Sequence, residues 1–155
     1  MKHYLLAAAL LPALAACHKS DNDDAAPAPV AAEFNQDFAL RYRQSATLPT
    51  AQTPELTLLV EDLQFSICPK NVNCFLPDFA NPTLAIAAAD GSTQQLQLAR
   101  NIASPSSPNW IDTASIRANG RRYVVYYKSW ALDAGRQDSP RKQDFTLNFR
   151  VEKPQ

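Results

Sequence analysis

Near its C-terminal end the chain alternates without a break. Phe145, Leu147, Phe149 and Val151 are apolar, and Thr146, Asn148, Arg150 and Glu152 between and after them are polar. A period of two predicts a strand with one buried face. Shorter versions of the pattern recur upstream. Phe38, Leu40 and Tyr42 alternate with Ala39, Arg41 and Arg43, and Leu56, Leu58 and Val60 alternate with Thr57, Leu59 and Glu61. Residues 83–89 form a short apolar run, and Leu96 and Leu98 then alternate with Gln95 and Gln97. Asp90-Gly91 between those two segments reads as a hairpin turn. Asn119-Gly120 repeats the device and joins residues 114–118 to 121–132, with Val124 to Tyr127 as a central strand. Residues 103–109, ASPSSPN, read as a loop. About seven short strands with such turns predict an all-β fold, an antiparallel β-sandwich of immunoglobulin-like type. Residues 34–155, about 120 in all, suffice for one core.

Residues 1–33 lack this pattern. The chain opens MKHYLLAAALLPALAAC, with a positive Lys2, a short apolar run from Leu5 to Leu14, and small residues before Cys17. The run is too short to span a bilayer and reads as a secretory signal peptide, residues 1–16. Leu14-Ala15-Ala16-Cys17 resembles the lipobox of bacterial lipoproteins. That resemblance implies cleavage before Cys17, a diacylglycerol on its sulfur and usually N-acylation, so that several chains hold the domain on a membrane. The alternative is an ordinary signal peptide that leaves Cys17 as a free thiol. His18 follows where Asp would retain an enteric-type lipoprotein in the inner membrane, so the expected location is the outer membrane, on its periplasmic side or at the cell surface. Residues 17–33 carry Asp21, Asp23 and Asp24 and then Ala/Pro residues, which makes them a tether without a core. An acidic cluster just after a lipidated Cys also resembles the surface-export tag of some Gram-negative lipoproteins.

Cys68 and Cys74 are the remaining cysteines, in ICPKNVNCF. A zinc site needs about four ligands. The histidines are His3 and His18, so the domain has none, and the C-x5-C spacing is neither the metal nor the redox C-x-x-C spacing. An even pair in an oxidising compartment therefore reads as a structural disulfide. Pro69 fixes φ, and Asn71 and Asn73 tolerate turn geometry, so Pro69, Lys70, Asn71, Val72 and Asn73 form a pre-shaped candidate binding loop.

The segment LTLLVEDLQFSICPKNVNCF resembles a region of small, mostly uncharacterised bacterial lipoproteins. In these an apolar strand leads into a CPxxxxC disulfide loop, often CPKGVQC, followed by an apolar residue and Trp. Cys68, Pro69, Lys70, Val72 and Cys74 match; Asn71 replaces the common Gly, Leu76 the Trp, and Pro77 and Asp78 the small pair that follows. The resemblance implies a β domain and an envelope location. It carries no established activity.

Candidate chemistry is sparse. With 15 basic and 15 acidic side chains the chain is neutral, without the basic footprint of a nucleic-acid binder. Three scattered glycines make no phosphate-cradling loop. The absence of His from the domain removes Ser/His/Asp and Cys/His catalysis. Glu61 and Asp62 are adjacent on a strand and are expected on opposite faces. No catalytic residue, metal ligand or cofactor is expected, and the protein reads as a non-enzyme. On the strand at 121–132, strict alternation puts Tyr123, Val125 and Tyr127 on one face and Arg122, Val124, Tyr126, Lys128 and Trp130 on the other. Trp110, Tyr126 and Trp130 are thus a candidate aromatic platform for a glycan. The competing reading packs Tyr126 and Trp130 inside, and a bulge would swap the faces.

These features favour a lipid-anchored, non-enzymatic interaction module. The expected partners are the membrane, through lipid, and an envelope or extracellular protein. A protease inhibitor presenting the stapled loop and a glycan-binding module are the alternatives.

Overall fold

The computed structural model describes residues 25–99 and 107–154. The chain folds as an antiparallel β-sandwich of two sheets. The strands are β1 (Val30–Ala31), β2 (Asp37–Arg41), β3 (Ser45–Leu48), β4 (Leu56–Ser66), β5 (Phe79–Ala88), β6 (Thr93–Gln97), β7 (Asp112–Ala118), β8 (Arg121–Leu132) and β9 (Phe145–Glu152). One sheet has the order β1-β3-β4-β5-β6 and the other β2-β9-β8-β7. Every pairing is antiparallel except β1 with β3. The leader, Cys17 and most of the Pro/Ser loop lie outside the described residues.

The seven patterned segments all form strands, and β1 and β3 are additions to the expected seven. β3 has only Ala46 and Leu48 as apolar residues and ends at the cis Leu48–Pro49 peptide. β1 is two residues long and lies in the stretch assigned to the tether. It is held by backbone pairing to β3 rather than by any apolar period, and Ala32 beside it is buried. The ordered domain therefore begins before residue 34.

Alternation places the core. From β4 and β5, Leu56, Leu58, Val60, Leu84 and Ile86 point inward; from β8 and β9, Tyr123, Val125, Tyr127, Phe145, Leu147, Phe149 and Val151 meet them. The Tyr127 hydroxyl crosses between sheets and donates to Ala80 O at 2.7 Å. Burial pushes its phenol pKa well up, so it stays a neutral donor. The β7–β8 turn is a two-residue loop, with Asn119 and Gly120 both at positive φ (52° and 69°) between the paired Ala118 and Arg121. That is the geometry for which Asn-Gly is selected.

Two bulges alter the faces. Pairing jumps from Tyr127↔Phe149 to Ser129↔Asn148, so Lys128 is an extra residue. Beyond it Trp130 sits opposite the buried Leu147, on the core side, with its ring 5.9 Å from that of Phe145. The expected grouping of Trp130 with Tyr126 on one face is thereby corrected. The second bulge lies between Val60 and Asp62. Val60 and Leu63 both point inward, and Glu61 and Asp62 both lie on the solvent side. The expectation that this pair splits across the sheet is corrected too. The two acids are committed to separate partners: Glu61 accepts from Gln95, and Asp62 pairs with Lys142.

Candidate functional site

β4 and β5 remain paired as far as Ser66↔Phe79, and residues 67–78 then project from the end of the sandwich. Cys68 and Cys74 are joined by a disulfide, with their Cα atoms 5.9 Å apart. One hydrogen bond closes the loop on itself and two tie it to the segment after β8. The Cys68 amide donates to Asp78 Oδ1 at 2.7 Å, the Lys70 amide to Asp138 Oδ1 at 2.9 Å, and Gln137 Nε2 to Cys68 O at 3.1 Å. Asn71 takes the left-handed conformation at φ 63°, which Asn tolerates better than most residues. The loop is thus held at its neck, by the disulfide and Asp78, and along one side, by the segment after β8.

What this tip presents is apolar. Val72 is 56% exposed, Leu76 70% exposed and Phe75 fully exposed. They are the exposed large hydrophobic side chains among the described residues, and all three lie on this one loop. Pro69, Lys70, Asn71 and Asn73 are exposed beside them. Sequence reasoning stopped at Asn73 and missed Phe75 and Leu76. The available signal was the pair of adjacent large apolar residues after Cys74, which no strand period could bury on one face. Gln137 and Asp138, far along the chain, carried no signal at all. A shallow cavity of about 260 Å³ lies under the tip, lined by Ile67, Lys70, Asp78, Trp130, Asp133 and Gln137. Trp130 therefore belongs to the base of the tip.

The other two aromatic candidates do meet. Trp110 packs edge-on against Tyr126 with ring centroids 5.2 Å apart. They border a hollow of about 250 Å³ with Asn109, Lys128, Arg150 and Glu152. The Tyr126 hydroxyl donates to Glu152 Oε2 at 3.1 Å, and its pKa is raised by partial burial first and by that carboxylate second. Lys128 Nζ and Arg150 Nε both reach Asp37, each at 2.7 Å. The hydrogen bonds from Lys128 and Arg150 hold the Asp37 carboxyl below its usual range. These charges neutralise one another in a closed network.

Among the described residues no group of three or more His, Cys, Asp or Glu side chains is placed to hold a metal ion. No buried side-chain nitrogen or oxygen there lacks a hydrogen-bond partner, and no helix there is long and apolar enough to cross a membrane. Compared with family models, with curated proteins and with solved structures, the chain finds no match.

Proposed function

We propose that this protein is a lipid-anchored envelope β-sandwich that acts as a non-enzymatic binding module through its stapled tip. The lipobox-like run from Leu14 to Cys17 supplies the anchor, and His18 in place of an inner-membrane Asp supports an outer-membrane location. The observation that carries the reading is the joint exposure of Val72, Phe75 and Leu76 on a loop fixed by the Cys68–Cys74 disulfide. Apolar side chains grouped at an exposed site mark a docking surface. Fixing the loop in advance lowers the ordering cost of docking.

The test is a photo-crosslinking residue at Phe75 of the full chain in intact cells, compared with one at Gln52 in the loop before β4. The expected result is an adduct at 75, with lipid or with protein, and none at 52. Recovery of uncrosslinked monomer alone at 75 counts against the module.

The aromatic hollow favours a second reading, glycan binding by Trp110 and Tyr126 beside polar Asn109 and Glu152. Saturable quenching of tryptophan fluorescence by an oligosaccharide, lost in Trp110→Ala, supports it; a flat titration across a glycan panel removes it. Protease inhibition is less favoured. A protease cleft takes an extended segment, and Asn71 breaks the extended run immediately after Lys70.

A further inference from the structure

The course of the chain into β1 shows from which end of the sandwich the preceding residues depart. Val30 pairs with Ala46, which pairs with Leu58; Ala31 pairs with Thr47, which pairs with Thr57. Stepping back from Ala31 to Val30 thus moves along β4 toward Ser66 and the stapled loop. The hydrogen bond from Gln44 Nε2 to Ala28 O continues that course, and Gln44 O accepts from the Val60 amide. The chain upstream of β1 leaves the sandwich toward its tip end. The Asp90, Asn119 and Gln52 loops lie at the other end.

Distances fit this direction. From the level of Val60 to Ser66 the strand advances roughly 17 Å. Eleven residue steps separate Cys17 from Ala28, and a chain of that length spans roughly 38 Å fully extended. A random coil of eleven residues has a root-mean-square span of roughly 18 Å. At full extension an anchor at Cys17 therefore reaches well past Ser66, on the side from which the tip projects. The tether is short enough to keep the tip at high effective concentration against the plane of the anchor.

We propose that Val72, Phe75 and Leu76 insert into the surface of the same bilayer that holds the lipid on Cys17. This rests on the anchored-module reading and names the partner of its tip. The lipid and the tip then form a two-part attachment that fixes how the sandwich stands on the membrane, with the Trp110–Tyr126 face turned sideways and the Asn119 end outward. Neither attachment alone restricts the orientation. Lys70 and Asp78 on the loop and Asp138 beside it leave no basic patch, so the insertion is apolar and independent of anionic lipid.

The experiment uses the full mature chain, produced with its own leader in a bacterium and reconstituted into phosphatidylcholine vesicles with or without brominated acyl chains. The variants are Phe75→Trp and Gln52→Trp, read against the wild-type background of Trp110 and Trp130. Intact mass reports the lipid on Cys17. The expected result is about twofold quenching of the new tryptophan at 75 by brominated lipid, unchanged in high salt, and none at 52. A lipidated chain with unquenched, solvent-exposed emission at 75 overturns tip insertion and leaves the anchor standing. Blue-shifted but unquenched emission at 75 assigns the tip to a second copy of the chain, and overturns insertion as well. A Cys17 without lipid overturns the anchor and the proposal together.

Discussion

Asp90 and Asn119 hold each other across the two sheets. The Asp90 amide donates to Asn119 Oδ1 at 2.9 Å, and the Asn119 amide donates to Asp90 Oδ2 at 2.6 Å. One residue lies in the β5–β6 turn and the other opens the β7–β8 turn, so each hairpin caps the end of the other. Asn119 Nδ2 also donates to Glu55 O at 2.8 Å. Asn119→Gly keeps the left-handed backbone but removes the side-chain bonds. Its expected cost is about 1 kcal/mol, read as a lower urea midpoint. A midpoint equal to wild type would show that the clasp adds nothing beyond the turn.

Acid should weaken the fold in a defined direction. The carboxyls of Asp37, Glu55, Asp62, Asp90 and Asp133 are all held below their ordinary values, chiefly by hydrogen bonds from Lys128, Lys153, Lys142, Ser92 and Arg41 in that order. A depressed folded-state pKa means that the unfolded chain binds protons first as pH falls. The stabilisation is fully present above the unfolded carboxylate values and is lost as pH drops through the lower folded ones. Urea midpoints should be level from neutrality to about pH 5 and fall steeply below about pH 4. Most of these groups are substantially exposed, so added salt should blunt the fall. A midpoint constant down to pH 3 would contradict the linkage.

Trp130 and Tyr126 should respond differently to truncation although they lie four residues apart on β8. Trp130 packs against Phe145 beneath the tip, and Tyr126 packs on the outer face against Trp110. For the half-buried Trp130, Trp130→Ala should cost about 2 kcal/mol, and Tyr126→Ala about half as much. Chemical denaturation of the two variants decides it. Equal losses would place both rings on one face and deny the bulge at Lys128.

That bulge marks where the sequence stopped being legible. The alternation of β9 was readable because every second side chain enters one core and no residue is extra. β8 follows the same rule up to Tyr127, and then Lys128 breaks the count. The break leaves a trace, since the inward residues Tyr127 and Trp130 are three apart, as are Val60 and Leu63 at the other bulge. Period-two reasoning treats such a gap as noise. The turn chemistry of Asn119-Gly120 was legible because so few residues accept two consecutive positive φ angles. β1 was not, because it is held through its backbone atoms, by pairing with β3 and by Thr47 Oγ1 donating to Val30 O, and carries no apolar period. The stapled loop was legible from its two cysteines and the turn residues Pro69, Asn71 and Asn73 between them. Its apolar content beyond Cys74 was not, because exposure depends on where a loop points after its last paired residues, Ser66 and Phe79.

The tip offers the sharpest separation of architecture from function. Val72, Phe75 and Leu76 bury little against the sandwich, so Phe75→Asp with Leu76→Asp should shift stability by no more than about 0.5 kcal/mol. The disulfide differs, because it restricts the unfolded chain. Cys68→Ser with Cys74→Ser should cost about 2.4 kcal/mol, the loop-closure value for so small a ring. Adding reductant to the wild type should bring it to the same urea midpoint. Both double variants should weaken docking by the tip, for different reasons. The aspartates remove the apolar contacts from a loop that keeps its shape. The serines leave those contacts on a loop that must be ordered upon docking. Full docking by the aspartate variant would assign the contact to another surface. Full docking by the serine variant would leave the staple with stability as its only role.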